Sequence, residues 1–476
     1  MSSKYVGRKE SLEDLKALQA KKKASLVVIN GRRRVGKSRL AEEFGKSQVF
    51  IPFTGLPPLE GITAQDQRNN FAEQLSAHFR LPNFTFLDWG EAFKALGSLL
   101  SQSPTVVLFD EISWLSHEDP LFLAKFKVWW DLNHSKFPHL IFILCGSVSS
   151  WIEENILKST AFFGRISLTI HLQPLSTRES VQLLQANGIQ GSAYDYYKIL
   201  SITGGIPWYL EQILPSKLAD NNISDLCFAR NGLLVTEFDK IFHDLFGSQG
   251  TTYKKILSIL ERGMYTQAEI REEMNYAHSG TFSALMEHLC IAGFVTEHFQ
   301  WQLKTGKAAR QSLYRLSDPY IRFYLKYIEP NLEKIKAGLF EAVELVKLPG
   351  WDSMMGFQVE NLLLQNRKLL LDSLGISGND LLADNPFLQR TTSRRQGCQI
   401  DYLVQTKNWN LFVSEFKFNR KMIGREIINE MAEKLQRFTV PKGFAKIPVL
   451  FHLGEVSSSV YDANFFYKII DIGDYL

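Results

Sequence analysis

The chain is poor in what disulfide scaffolds and membrane spans require. Only four cysteines occur in 476 residues, at positions 145, 227, 290 and 398, with no C-x-x-C spacing. That excludes a disulfide framework and a zinc ribbon and suits a reducing compartment. Long apolar runs are missing as well: LIFILC at 140–145 is among the longest, far short of the roughly 18 residues of a membrane span. The opening residues, MSSKYVGRKE, contain no apolar h-region, so the expected location is cytoplasmic and no membrane partner is expected. Strong charge of one sign is also absent, with 54 Lys and Arg against 50 Asp and Glu. The imbalance is local instead. Residues 390–446 hold 12 Lys or Arg and 5 Asp or Glu, a basic field that suits a polyanion, although a solvated helix face accounts for such charge equally well. At 45% hydrophobic content the chain is too long for one core, and a prior of about 150 residues per domain predicts roughly three.

What is present begins with a phosphate site. SLVVIN at 25–30 reads as a short buried strand and runs directly into GRRRVGKS and the helical pattern RLAEEFGK. Strand, glycine-rich loop and helix is the context a P-loop needs, because curled backbone N–H groups at a helix N-terminus face phosphate oxygens. Gly31 and Gly36 permit the curl, Lys37 reaches the β- and γ-phosphates, and Ser38 offers its hydroxyl to Mg²⁺. Arg34, Val35 and Arg39 complete the candidate nucleotide-binding stretch. A second apolar strand, TVVLFDE at 105–111, ends in Asp110, placed to hold Mg²⁺, and Glu111, placed to orient or deprotonate water. An N-cap beside a glutamate explains the acids but not the apolar strand before them. A third strand, LIFILCGS at 140–147, ends in Ser147, a candidate sensor of the γ-phosphate, since ligands gather at the carboxyl ends of parallel strands. Arg165 precedes a further strand, where it either contacts the γ-phosphate in cis, reaches a neighbouring subunit or is a plain surface arginine.

The order YVGR, GRRRVGKS, LFDE, CGS, FGR and TGGIPWYL resembles the archaeal-type ATPases of the AAA+ group, relatives of the STAND signalling ATPases. The resemblance implies ATP and Mg²⁺ as cofactors, an adenine cup from Tyr5, Val6, Gly7 and Arg8, and a helical lid whose Gly205 and Pro207 sense the nucleotide. The relatives follow Gly-Arg with an acid, whereas Lys9 stands here before Glu10.

From 251 onward, YKKILSIL, TQAEIREEM and SGTFSALMEHLCIAG followed by FVTEHF predict three helices and a wing. Thr266 and Glu269 have capping-box spacing, and Ser279 is placed to cap the third helix. Residues 280–291 contain no Lys or Arg, so base reading in the major groove is disfavoured against packing on the ATPase, while Lys304, Lys307 and Arg310 in the wing leave phosphate contact open.

The last segment places charge on strands otherwise fit for burial. In LFVSEFKF at 411–418, alternation sets Glu415 and Lys417 on one face, and QIDYLV carries Asp401 on the strand before. With a preceding helix over 356–371 carrying Glu360, this resembles the PD-(D/E)XK nucleases. That resemblance implies Asp401 and Glu415 as Mg²⁺ ligands, Lys417 as the group that activates water, and Glu360 as a further member of the site. A structural salt bridge or an inactive descendant remains open. The expected architecture is therefore α/β: a P-loop AAA+ parallel sheet over 1–172, a helical lid over 173–240, a winged helix over 241–318, a helical linker over 319–350 and a PD-(D/E)XK-like domain over 351–476. The expected role is an ATP-binding and hydrolysing switch that controls a C-terminal Mg²⁺-dependent nuclease-like domain acting on nucleic acid, DNA favoured, with ATP-dependent homo-oligomers possible; the alternative is a signalling ATPase whose C-terminal domain binds DNA or protein without cleavage.

Overall fold

The computed structural model describes residues 5–147, 149–246, 249–277, 280–340, 343–393 and 395–476. The chain divides into two compact units, Met1–Leu175 and Ser176–Leu476.

In the first unit, strands β1 (Ser25–Asn30), β2 (Val49–Thr54), β3 (Thr105–Asp110), β4 (Leu140–Gly146) and β5 (Ile166–His171) form one sheet in the order β2-β3-β4-β1-β5. Every pairing is parallel. The continuous apolar runs noted in the sequence are what such a sheet demands, because helices cover both faces of its central strands; β1 and β4 are buried along their whole length. Alternation sorts the residues. Leu26, Val28, Phe142 and Leu144 join a core of aromatic side chains that includes Phe71, Trp89, Phe93 and Phe126. Val27, Ile29, Ile141 and Ile143 face the other way, onto Val35, Leu40 and Phe44. Two helices carry residues of the candidate site or its surroundings: α1 (Lys37–Gly45) behind β1, and α2 (Phe122–Asn133) between β3 and β4. The parallel register aligns Asn30 with Gly146 and Thr54 with Asp110, so the loops after β1, β3 and β4 leave from the same edge of the sheet.

The second unit opens with helices, among them α3 (Ala193–Thr203), and continues through α4 (Gly250–Glu261), α5 (Gln267–Glu273) and α6 (Gly280–Ile291) into an antiparallel hairpin of β6 (Val295–Trp301) and β7 (Ala308–Leu316). The capping box forms at Thr266: its hydroxyl accepts from the Glu269 N–H, and Glu269 accepts in return from the Thr266 N–H at 2.7 Å. Ser279 lies outside the described residues. Then α7 (Trp351–Gln365) leads to a mixed sheet of β8 (Leu381–Gln389), β9 (Cys398–Thr406), β10 (Asn410–Phe418), β11 (Ala445–Leu453) and β12 (Lys468–Asp471), in the order β12-β11-β10-β9-β8, with α8 (Glu426–Arg437) after β10. The helix expected over 356–371 is interrupted at Asn366, whose φ of −110° and ψ of 39° leave the helical region. Its side chain donates to the Leu362 carbonyl at 2.7 Å, the local competition with the helix ladder to which Asn is prone.

Polar side chains of α7 tie this unit together from within. Gln358, fully buried, donates to the carbonyls of Ser201 on α3 at 2.8 Å and Pro319 at 2.7 Å. Asn361 donates to the Leu316 carbonyl at 3.1 Å and Gln365 to that of Ser317 at 3.2 Å. Between them, Glu360 on α7 pairs with Arg315 on β7, whose side chains are 10% and 1% exposed. Removing one partner of a buried pair strands the other charge, at a cost of about 3–5 kcal/mol, whereas replacing both with apolar groups is often close to neutral. Arg315→Met should therefore lower the urea midpoint of the full chain sharply, and Arg315→Met combined with Glu360→Leu should recover most of the loss. Equal loss in the single and double variants would show that packing, not charge, governs this position.

Candidate functional site

The loop after β1 is shaped by backbone conformations that L-residues seldom adopt. Gly31 has φ 142°, Arg34 66° and Gly36 95°. At Gly31 a Cβ would meet the Leu172 carbonyl oxygen at 2.4 Å, so glycine is required both for its conformation and for its closeness to the chain leaving β5. Val35 is fully buried and anchors the loop in the core. The N-terminal YVGR segment abuts the same loop, with Arg8 donating to the Val35 carbonyl at 3.1 Å.

The candidate catalytic groups converge here. Lys37, almost wholly buried, donates to the carbonyls of Gly31 and Arg32, each at 3.1 Å, and to the Ser147 hydroxyl at 2.8 Å. Ser147 in turn donates its hydroxyl to Glu111 Oε1 at 2.8 Å and its N–H to Glu111 Oε2 at 3.1 Å. Ser38 donates to Asp110 Oδ2 at 2.6 Å. The strand order explains this: β3 and β4 are neighbours and β4 lies beside β1, so their carboxyl ends bring acid, serine and loop together. The donor set fits a magnesium nucleotide, with hard oxygens from Ser38 and Asp110 side by side for the cation and a lysine at the head of the loop for phosphate. Glu111 itself sits at φ 50°, a left-handed conformation of the kind that clusters at functional positions.

Arg165 is held elsewhere. Its guanidinium grips Asp131 of α2 through two bonds of 2.6 and 2.9 Å, and Lys127 reaches the same carboxylate at 2.9 Å. The hydrogen bond from Arg165, with help from Lys127, draws the Asp131 carboxyl down to about 2. Pro207 begins a short helix, Pro207–Leu210, after Gly204 and Gly205 at φ 60° and 70°, and belongs to the second unit.

The charged strand pair forms a second cluster. Antiparallel pairing of β9 with β10 runs to Ser414 opposite Tyr402. Just past that point Asp401 Oδ2 accepts from the Phe416 N–H at 3.0 Å, so its carboxylate takes a backbone donor where the ladder ends. Lys417 reaches Glu415 at 3.2 Å and Glu430 of α8 at 2.8 Å. Lys434, one turn beyond Glu430 on α8, pairs with Glu415 and stands 3.9 Å from Asp401 Oδ1. Burial, then the neighbouring Glu415 charge, push the Asp401 carboxyl up to about 7, against the pull of Lys434. Glu360 does not complete this cluster as expected; its carboxylate turns to Arg315, although its charge still raises Asp401. Among the described residues no three His, Cys, Asp or Glu form a metal-sized group. Asp401 and Glu415 nevertheless place two hard-oxygen donors together, the kind of ligand a divalent cation takes, with Lys434 and Lys417 beside them.

Sequence reasoning missed Lys434 and Glu430. Their i, i+4 spacing on an amphipathic helix is the signal that was there, but it specifies only a shared face.

Residues 5–213 match the family model of an ATPase domain found predominantly in Archaea. An uncharacterised protein of Methanocaldococcus jannaschii is 26% identical over 357 residues, which cover 75% of each chain. A Walker-type ATPase of Pyrococcus abyssi aligns with a TM-score of 0.51 at 19% identity, over 67% of this chain and 96% of that one. The ORC2 protein of Aeropyrum pernix in its ADPNP–ADP complexes gives 0.40 at 14%, over 69% and 94%. Residues 5–213 are thus an archaeal-type ATPase domain, and the fold is that of a P-loop ATPase sheet with a second, mixed sheet. Among the described residues no helix is long and apolar enough to cross a membrane.

The raised Asp401 has a definite signature in pH. Its folded value, about 7, lies above the ordinary 3.8, so between roughly pH 4 and 7 the folded chain holds a proton that the unfolded chain has released, and stability falls as pH rises through that window. Asp401→Asn should flatten this slope and, without added metal at pH 8, melt at the same temperature as the wild type or higher. A markedly lower melting temperature would instead make the Asp401–Lys434 contact a net structural ion pair.

Proposed function

We propose that the archaeal-type ATPase domain is the nucleotide-driven switch of a chain whose mixed-sheet segment is a nuclease-like effector acting on nucleic acid, DNA by preference. The observation that carries the first half is the relay from Lys37 through Ser147 to Glu111. The hydroxyl and the N–H of Ser147 hold the glutamate carboxylate by two donors beside the phosphate loop, with Lys37 donating to the same hydroxyl, the position of a general base for water. In this reading the ATP phosphates lie along Gly31–Ser38, Lys37 neutralises the β- and γ-oxygens, and Ser38 and Asp110 hold Mg²⁺. The bound ion supplies charge neutralisation at the phosphate oxygens. Glu111 then takes the proton of the attacking water, and Ser147 fixes the carboxylate in place. Tyr5, Val6, Gly7 and Arg8 frame adenine, and Pro207 belongs to a nucleotide-sensing lid, on resemblance alone. Arg165 serves a γ-phosphate in cis or in a partner copy of an ATP-dependent assembly, and in either case must first leave Asp131.

The second half rests on Asp401, Glu415 and Lys417 at the end of the β9–β10 ladder. Asp401 and Glu415 would hold one or two divalent ions, and Lys417 would orient or activate the water that attacks a phosphodiester. Helices α4–α6 with the β6–β7 hairpin read as a winged helix used for packing and signal transfer rather than base reading, since α6 carries no Lys or Arg. One observation favours a second reading, a signalling ATPase that binds without cutting: Lys434 already sits between the two carboxylates and Lys417 is occupied by Glu430.

Lys37→Ala should abolish tight ATP binding, while Glu111→Gln should bind ATP as the wild type does and slow turnover about a hundredfold or more, in line with loss of a general base. Ser147→Ala should resemble the Glu111 variant, retaining affinity and losing turnover. Unchanged ATP affinity in the lysine variant, measured by titration calorimetry, would remove the phosphate assignment.

For the effector, plasmid and single-stranded DNA incubated with the full chain should be cut only with Mg²⁺ or Mn²⁺, with a rate that responds to ATP. Lys417→Ala should abolish cutting and leave DNA retention intact. Metal-independent retention with no cutting by the wild type under any condition would select the binding-only reading.

A further inference from the structure

A groove of about 550 Å³ runs between the β6–β7 hairpin and the segments that flank the end of β8 and the end of α8, all within the second unit. Its lining carries three cations, Lys304, Arg390 and Arg395, and no Asp or Glu. Arg390 is shared with Glu269 at 2.9 Å, a solvent-exposed pair of the kind that contributes little. Lys304 and Arg395 have no carboxylate partner among the described residues. Thr439 and Gln302 add neutral donors along the same lining.

The walls are fixed before any ligand arrives, and three glutamine amides do most of the fixing. Gln300 donates to the Pro386 carbonyl and accepts from the Leu388 N–H, both at 3.0 Å. Gln405 accepts from the Trp301 indole at 2.6 Å and donates to the Leu303 carbonyl at 2.8 Å. Gln389 donates to the carbonyls of Gln396 and Arg437, each at 2.7 Å, and accepts from the Thr439 N–H at 2.9 Å. The groove is therefore a preorganised trough of donors and positive charge, and a ligand does not have to order it.

We infer that this groove binds the phosphodiester backbone of a nucleic acid. Guanidinium groups pair with phosphate oxygens through two parallel bonds, and Lys, Thr and Gln donors on either side suit the sugar–phosphate contacts that position a strand without reading its bases. An acidic peptide would meet the same cations, but the location favours nucleic acid. Arg437, whose carbonyl helps to form the wall, lies three residues beyond Lys434, the lysine that stands between Asp401 and Glu415. The inference rests on the nucleic-acid part of the proposed function and adds a surface to it: wing and mixed sheet grip one backbone together.

The test is fluorescence anisotropy of the full chain with a labelled DNA duplex over a series of salt concentrations. The wild type is compared with Lys304→Glu/Arg395→Glu, with the milder Lys304→Gln/Arg395→Gln, and with a control pair on the first unit, Lys16→Glu/Lys21→Glu. The charge-reversed pair should weaken binding at least about tenfold at low salt, the neutral pair should weaken it less, and both should reduce the slope of log affinity against log salt by about two, one for each lost phosphate contact. The control should keep the wild-type slope, and every variant should keep the wild-type ATP hydrolysis and urea-unfolding profile, which excludes unfolding of either unit. If the wild type binds DNA and both groove variants bind it equally well with the same slope, the groove assignment fails while the nucleic-acid reading stands. If the wild type shows no salt-sensitive binding at all, that reading fails and the groove assignment with it. If the groove variants lose poly-glutamate binding but keep duplex binding, the groove serves acidic polypeptides and the inference is overturned.

Discussion

A charge can be taken out of water only if its partner goes with it, and the Arg315–Glu360 pair is where the second unit meets that demand. Its two members come from segments that the sequence separates by 45 residues: the end of β7 and the middle of α7. Because neither can remain buried alone, the hairpin and the helix are held in a single register. The neighbouring amides use that register. Gln358 reaches back to α3, while Asn361 and Gln365 reach the chain leaving β7. One helix thus reads the positions of three segments, and it does so with side chains whose hydrogen-bond capacity would be left unmet by any shift of a residue. The same Glu360 contributes to the potential at Asp401, so the carboxylate cluster is electrically connected to the contact that holds the unit together.

Parts of this arrangement were legible in the sequence because their determinants are contiguous. The loop from Gly31 to Ser38 carries its own geometry, and the strands before Asp110 and Ser147 announce themselves by being apolar on both faces, which only a covered parallel sheet allows. Strand alternation likewise put Glu415 and Lys417 on one side, and they lie 3.2 Å apart. What was not legible depends on partners that the fold brings from a distance. Nothing local to Glu360 points to Arg315. Nothing around Lys434 distinguishes a lysine that will stand beside two carboxylates from one on a solvated face, because helix periodicity fixes direction and not destination. The grip of Asp131 on Arg165 spans 34 residues and is invisible for the same reason, as is the two-donor hold of Ser147 on Glu111.

The two sites solve a common electrostatic problem in different ways. At the phosphate loop, positive charge is buried first: Lys37 is satisfied by carbonyls and a hydroxyl, so the loop is ready for an anion. At the end of β9 and β10 negative charge is buried first, and lysines are recruited to temper it, Lys434 from α8 and Lys417 from β10 itself. In the proposed reading the two arrangements serve opposite ions, a polyphosphate at the first and a cation at the second. The local basic excess of the chain falls around the second, and in the proposed reading it offsets the repulsion between those carboxylates and a polyanion.

The three glutamines behind the groove walls have a chemical implication of their own. Amides do not titrate, so the shape they hold is the same in mild acid and mild base, but they are among the residues that age by losing ammonia at high temperature. Deamidation of Gln389 would replace a nitrogen that donates to two carbonyls with an anionic oxygen facing both of them, turning two attractions into two repulsions. A single such event, leaving every cation of the lining in place, would work to part the strand end from the tail of α8, so the shape of this surface depends on a neutral residue behind it.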